Sequence, residues 1–443
     1  DGLTELGELD LGHAGPPGAA SGGATLSGRH GAGRPCHGDD SRGPVATPTL
    51  ASCRVPSRPS RGRARPDVVL GPGPRRSAVH VVVAPDGFGG TMAPTTAAAA
   101  IADGWRAARP ADRVTVVPMS DGGEGLLDVL LAADPTATTQ RIEVAGPDAR
   151  PRTATLLRLG DGTVVIESAD VCGLALIPPE LRRPLEATTY GVGQALAAAA
   201  AGGADRVVVG LGGSATLDGG SGALNGLGLR LRTSDGGLRI GVGDLGNCTS
   251  VERGRAAWSD GIELVLLCDV DLPLAAAAPR FGPQKGLDAA GVTLAASALD
   301  AWAGVLAAAF PTTTDPAAPG TGAAGGLGLG LAAALGGRLV PGAAWVAERV
   351  GLAAAVAGAD LVITGEGRLD AASGEGKVVG HVAAVARAHA RPLAAVVGAV
   401  GRDADAVVPA ARREVGAVGA DGDAAEAVRA AAARLAHRLT SVH

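Results

Sequence analysis

Along the 443-residue chain, apolar and polar positions follow two rhythms. Short β-branched runs recur at Ala78–Ala84, Val114–Val117, Val207–Gly210, Leu264–Asp269, Leu361–Thr364 and Pro392–Val397. Each is too short for a helix and too uniformly apolar for a half-exposed strand, so each predicts a strand covered on both faces, as in a parallel sheet. Longer Ala- and Leu-rich stretches lie between them. They predict helices from Thr91–Pro94 to about Ala108, over Leu126–Ala132, over about Thr189–Ala201, and at the end of the chain after Asp423. Thr91 suits an N-cap and Pro94 a first turn. Val144–Glu167 alternates instead, as antiparallel strands do. The prediction is an α/β protein of two domains. A discontinuous, Rossmann-like doubly wound α/β domain takes residues 78–150 and 320–443, and a second α/β domain is inserted at 151–319. Residues 1–77 are rich in Gly, Pro, Arg and Ser without either rhythm, and are expected to be a disordered extension.

Composition narrows the chemistry. Aromatic residues are 2% against 46% hydrophobic, so the core must be Ala, Val and Leu. A net charge of −5 argues against nucleic acid or an anionic membrane as partner. The five cysteines (Cys36, Cys53, Cys172, Cys248 and Cys268) have neither zinc nor C-x-x-C spacing, which fits reduced thiols and a cytoplasmic protein. No histidine pair has metal spacing, and neither a Walker A pattern nor a G-x-S-x-G elbow is present.

Five strands run into loops that hold glycine and an acid: Asp86, Asp121 with Glu124, Asp218, Asp269, and Glu366 with Asp370. Ligands of open α/β sheets sit at the carboxyl ends of strands, where carboxylates hold Mg²⁺ or take a proton from a hydroxyl. Each acid could equally cap the helix that follows. The segment Gly210–Gly220, with Gly212, Gly213, Ser214 and Thr216, has the composition of a phosphate loop, though tight strand–helix packing would also select its glycines. A second Gly-rich turn, with Gly325 and Gly326, offers either backbone donors or close packing. Arg fills nearly every basic position. The two lysines, Lys285 and Lys377, both stand in Gly-containing motifs, where a compact ammonium suits a phosphate or a carboxylate. Acids, glycines and two lysines fit phosphoryl transfer, which depends on positioning and charge neutralisation. A nicotinamide-dependent oxidoreductase using Gly210–Ala215, with Asp235 as its ribose acid, is the alternative.

Taken together, eight stretches resemble the bacterial glycerate kinases of the first type: VAPDGFGG at 83–90, SDGGEG at 120–125, ATTYGVG at 187–193, GLGGSATLDGG at 210–220, CDV at 268–270, FGPQKG at 281–286, GAAGGLG at 322–328 and ITGEGRLD at 363–370 with Gly376-Lys377 after it. The resemblance implies the two-domain fold with its active site in the cleft, and use of ATP and Mg²⁺ to phosphorylate D-glycerate, with 2-phosphoglycerate as the product in many members. Carried onto this chain, it implies metal or substrate contacts by Asp86, Asp121, Glu124 and Asp269. It further implies phosphate or carboxylate contacts by Lys285 and Lys377, a base at Asp218, and an acidic wall completed by Glu366 and Asp370. The chain departs from the family pattern at Gly87, Gly89, Leu217, Leu272 and around Ala372, where polar residues are usual. A diverged relative that binds a small acid without turnover is therefore a further alternative.

Overall fold

The computed structural model describes residues 78–441 apart from 235–240, 255, 260, 269, 311–313, 375 and 417–422. The expected extension at 1–77, Asp235 and the candidate metal ligand Asp269 thus lie outside the described residues. The architecture is mixed α/β around parallel sheets.

Among the described residues thirteen strands build it: β1 His80–Val83, β2 Arg113–Val116, β3 Thr138–Ala145, β4 Pro151–Arg158, β5 Val164–Glu167, β6 Arg206–Gly210, β7 Arg230–Thr233, β8 Cys248–Glu252, β9 Glu263–Leu267, β10 Arg338–Val340, β11 Leu361–Leu369, β12 Leu393–Val400 and β13 Arg413–Val415. One sheet has the order β13-β12-β11-β1-β2 and is wholly parallel. The other has the order β10-β9-β6-β5-β4-β3, parallel except at the antiparallel β5-β4-β3 edge. A β7-β8 hairpin stands apart. The β3–β5 meander is where the alternating pattern predicted it. β3, expected with the first part of the chain, pairs into the six-stranded sheet, and so does β10.

The uninterrupted apolar runs are explained by burial on both faces. In β1, Val81 and Val83 pack with the helices Pro94–Ala108 and Ala424–Ser441, while Val82 and Ala84 face the opposite layer. In the other sheet Val208, Val165 and Val265 point into that same layer, and Val207, Val209 and Leu266 point away from it. Helices Leu126–Ala133, Gly342–Arg349 and Val378–Ala388 supply this shared layer, so one apolar stratum serves two sheets. Among the described residues two tryptophans are buried, and each has its indole N–H satisfied: Trp105 donates to Asp112 Oδ2 (3.0 Å) and Trp302 to Gly219 O (2.9 Å).

Local expectations shift in three places. The helix after β1 starts at Pro94 with Ala93 in the cap position, and the Thr91 hydroxyl instead donates to Phe88 O. Gly365, Glu366 and Gly367 do not form a loop: β11 continues to Leu369, pairing Glu366 with Val397. FGPQKG is largely helical, the end of Ala277–Lys285. Helix Ala289–Ala309 is long and apolar enough to cross a membrane; Leu299, Trp302 and Leu306 on it are buried against the six-stranded sheet's core.

Candidate active site

The loops that leave β1, β2 and β6 meet at the carboxyl ends of their strands. The loops 120–125 and 210–213 touch backbone on backbone, with the Gly212 N–H donating to Gly122 O at 3.3 Å. A Cβ on Gly212 would stand 2.3 Å from the Gly123 Cα, so no side chain fits at this crossing. Beside it opens a cleft of about 840 Å³. Gly89, Gly90, Asp121 and Glu124 line it from the five-stranded sheet; Glu167, Asp170, Arg182, Gly212, Gly213, Ser214, Phe281 and Lys285 line it from the six-stranded sheet.

Of the expected residues, Asp121, Glu124, Gly212, Gly213, Ser214 and Lys285 therefore share one hollow. Lys285, 3% exposed, donates to Ser214 Oγ (3.0 Å) and to Thr216 O (2.5 Å). Burial pushes its pKa down to about 8, against the pull of Cys172 and Asp218 nearby. Thr216 contributes its carbonyl to this contact, and its hydroxyl has no hydrogen-bond partner.

Asp218 does not face the cleft. It is fully buried, and both oxygens are taken: Oδ2 accepts from Thr189 N (2.8 Å) and Gly222 N (3.2 Å), Oδ1 from Gly220 N (3.2 Å), and the Thr189 hydroxyl reaches both. Burial raises its pKa while these bonds lower it. Asp218 ties the start of helix Tyr190–Ala201 to that of Ser221–Gly226, which is the capping role the sequence left open. Gly325 and Gly326 are likewise off the wall. They continue a left-handed stretch begun by Ala324 (φ 51°, 67° and 89° for residues 324–326), and a Cβ on Gly325 would meet Thr216 O at 2.1 Å. Close packing selects these glycines; Ala323 and Ala324 line the cleft instead. Leu217, where the family pattern has a polar residue, is wholly buried in the core of the six-stranded sheet.

A second group surrounds the end of β11. Glu366 is raised to about 7 by burial, then by the charges of Asp370 and Asp121, against a Ser373 hydrogen bond and the Lys377 ammonium. Its Oε1 is buried without a hydrogen-bond partner. Lys377 occupies the cap position of helix Val378–Ala388 and is half-buried. Asp370 accepts from Ala372 N (3.0 Å) and pairs loosely with Arg368 (3.8 Å). Asp86 holds its own loop: its N–H donates to Gly365 O (2.8 Å) and its Oδ1 accepts from Gly87 N (2.7 Å). Glu366, Asp370, Lys377 and Asp86 are not part of the cleft wall; Asp121, whose charge acts on Glu366, connects the two groups.

Among the described residues, no three His, Cys, Asp or Glu side chains converge as a metal centre. Mg²⁺ needs less than that, commonly one or two carboxylates with phosphate oxygens and water completing its shell. Asp121 and Glu124, two carboxylates on one loop of the cleft wall, are a donor set that fits it.

Three charged lining residues were not foreseen. Glu167, at the end of β5, accepts from Gly125 N (3.0 Å) and Leu127 N (3.1 Å), capping helix Leu126–Ala133 from the other sheet. Burial, then Asp170 and Asp128, raise its pKa to about 7 against those two bonds. It is a strand-end acid like the five singled out, but no glycine follows it to mark it. Asp170 accepts from Thr155 N (2.7 Å). Arg182 follows a 3-10 turn, Pro179–Leu181, and carries no local signal.

The family model described as the glycerate kinase family matches residues 81–443. The chain belongs to the glycerate kinase family. Among curated relatives of this glycerate kinase family member, glycerate kinase of Bacillus subtilis is 37% identical over 335 residues, covering 74% of this chain and 87% of its own. Escherichia coli glycerate 2-kinase is 35% identical over the same length and coverage. The crystal structure of a Salmonella typhimurium LT2 protein assigned as glycerate kinase 2 superposes with a TM-score of 0.67 at 32% identity, covering 81% of this chain and 98% of that one. Membership in this family sets aside the nicotinamide-dependent oxidoreductase alternative.

Proposed function

We propose that this chain transfers the γ-phosphoryl group of ATP to a hydroxyl of D-glycerate, giving 2-phosphoglycerate, in the cytoplasm. One observation carries the site reading: beside a glycine-lined crossing of two strand-end loops, Asp121, Glu124 and the buried Lys285 line a single cleft. The Gly213 N–H and the Ser214 hydroxyl would cradle phosphate oxygens, and the Lys285 ammonium would neutralise them. Asp121 and Glu124 would hold Mg²⁺, which when bound offsets the charge on the transferring phosphate. Asp218 is committed to backbone N–H groups, so the base falls to Glu366, an acid beside the cleft wall whose pKa is raised and which stands within the charge reach of Asp121. Asp370 and Lys377 flank it and set its charge balance. A two-domain reading accompanies this one. The five-stranded sheet and its helices form a domain drawn from both ends of the described chain, and the six-stranded sheet forms the insert.

The test is ADP release with Mg·ATP and D-glycerate, using L-glycerate and glycerol as controls, followed by ³¹P spectroscopy of the product. Glycerate-dependent ADP release with a phosphate on the 2-hydroxyl is expected. Binding of D-glycerate with no ADP release would identify a non-catalytic relative instead.

A further inference from the structure

Arg182 is the one guanidinium among the described residues lining the cleft. It is partly buried and forms no ion pair with a described carboxylate. Its Nε donates to Ile177 O at 3.3 Å, Nη2 to Leu174 O at 3.5 Å and Nη1 to Gln284 O at 3.5 Å. A guanidinium has five N–H donors. One N–H on each Nη is left over, and the bonds already made are long enough to yield to a better acceptor.

The anchor at Gln284 matters because the next residue is Lys285. Guanidinium and ammonium are thereby brought to the same wall, and Lys285 also keeps one N–H beyond those given to Ser214 and Thr216. The acids on Arg182's own sheet do not compete for it. Glu167 is held by the N–H groups of Gly125 and Leu127, and Asp170 by that of Thr155. Asp121 and Glu124 come from the loop of the other sheet.

Two anionic groups could enter such a corner. A triphosphate is drawn to the metal-holding loop and to the backbone N–H groups of the glycine turn. A carboxylate on the acceptor has no metal of its own and needs cations. The planar fork of an arginine matches a carboxylate edge, whereas a lysine acts as a point charge. We infer that Arg182 recognises the carboxylate of the acceptor and so sets a preference for a hydroxy acid over its neutral counterparts. This rests on the kinase reading above.

Steady-state kinetics and titration calorimetry on wild type, Arg182→Gln and Arg182→Lys, with D-glycerate and its neutral amide, glyceramide, provide the test. Arg182→Gln should raise the KM for D-glycerate by roughly 10- to 150-fold, the range for losing hydrogen bonds to a charged group. It should leave the KM for ATP unchanged and abolish discrimination against glyceramide. Arg182→Lys should recover part of the loss. Arg183→Gln, at the exposed neighbour, should change neither constant. Arg182 also holds the carbonyls of Leu174 and Ile177, so thermal unfolding of each variant is read alongside, and an unchanged glyceramide KM shows that the cleft is intact. A rise in the ATP KM in place of the glycerate KM would make Arg182 a phosphate contact and overturn the inference, as would unchanged glycerate constants in Arg182→Gln. If the wild type binds D-glycerate through Arg182 by calorimetry but releases no ADP, the kinase reading fails and this inference stands. If it turns over glycerate and Arg182→Gln is indistinguishable from it, the inference alone fails.

Discussion

The Lys285 ammonium meets the Ser214 hydroxyl at 3.0 Å behind the glycine crossing, almost wholly out of water. A cation so placed acts on cleft anions at low dielectric, where charge–charge interaction is strong. Lys285→Met should lower kcat/KM by about 10²- to 10³-fold, the scale for deleting one preorganised electrostatic group. With a pKa near 8, the wild-type ammonium loses its proton as pH rises through 8. Activity should therefore show an alkaline limb there, absent from the residual activity of Lys285→Met. For stability the sign is opposite. The unfolded lysine holds its proton to its ordinary value, so between about pH 8 and 10 the unfolded state binds more protons and stability rises with pH. Urea denaturation across that interval checks it.

Glu366 offers the acidic counterpart. Its carboxyl is held near 7, so a base at this position ionises as pH rises and activity should climb through pH 7. Glu366→Gln should remove that limb and most of kcat. In the metal-free protein the folded state binds the proton more tightly than the unfolded state does between about pH 4.5 and 7. Stability thus falls with rising pH across that window. The neutral variant should melt higher than wild type at pH 8 by calorimetry, although it is inactive. A lower melting temperature at pH 8 would count against the buried charge.

Gly212→Ala places a methyl 2.3 Å from the Gly123 Cα, where the opposing atoms are backbone and cannot rotate away. The two strand-end loops must separate, at a cost of about 1–3 kcal/mol typical of overpacking. Since Asp121 and Ser214 ride on those loops, kcat should fall by more than the stability loss accounts for. Denaturant midpoints and turnover measured on the same preparation separate the two.

Glu167→Ala removes the acceptor for the N–H groups of Gly125 and Leu127. Leaving them unpaired should cost about 1–3 kcal/mol. Glu167→Gln keeps one acceptor and should recover about half of that by chemical denaturation.

The strands were legible because burial on both faces of a parallel sheet writes a continuous apolar run: Val207, Val208 and Val209 need no partner to be recognised. The glycine crossing was legible as composition, though not as geometry. The role of Asp218 was misread because an acid after a strand looks the same whether it faces a ligand or caps a helix; only Thr189, 29 residues earlier, decides between them. Glu366 was placed in a loop because glycines flank it, yet β12 continues beside it and keeps the strand extended. Arg182 had no chance of discovery in a chain where arginine fills almost every basic position.

That same arginine bias has a practical side. With ammonium side chains only at Lys285 and Lys377, amine-reactive reagents find two side-chain targets, one buried at the cleft and one half-buried beside Glu366. Mass-resolved acylation of this protein is thereby a near-binary reporter: which of two tryptic fragments is labelled, with and without bound nucleotide, tells directly whether the cleft is filled.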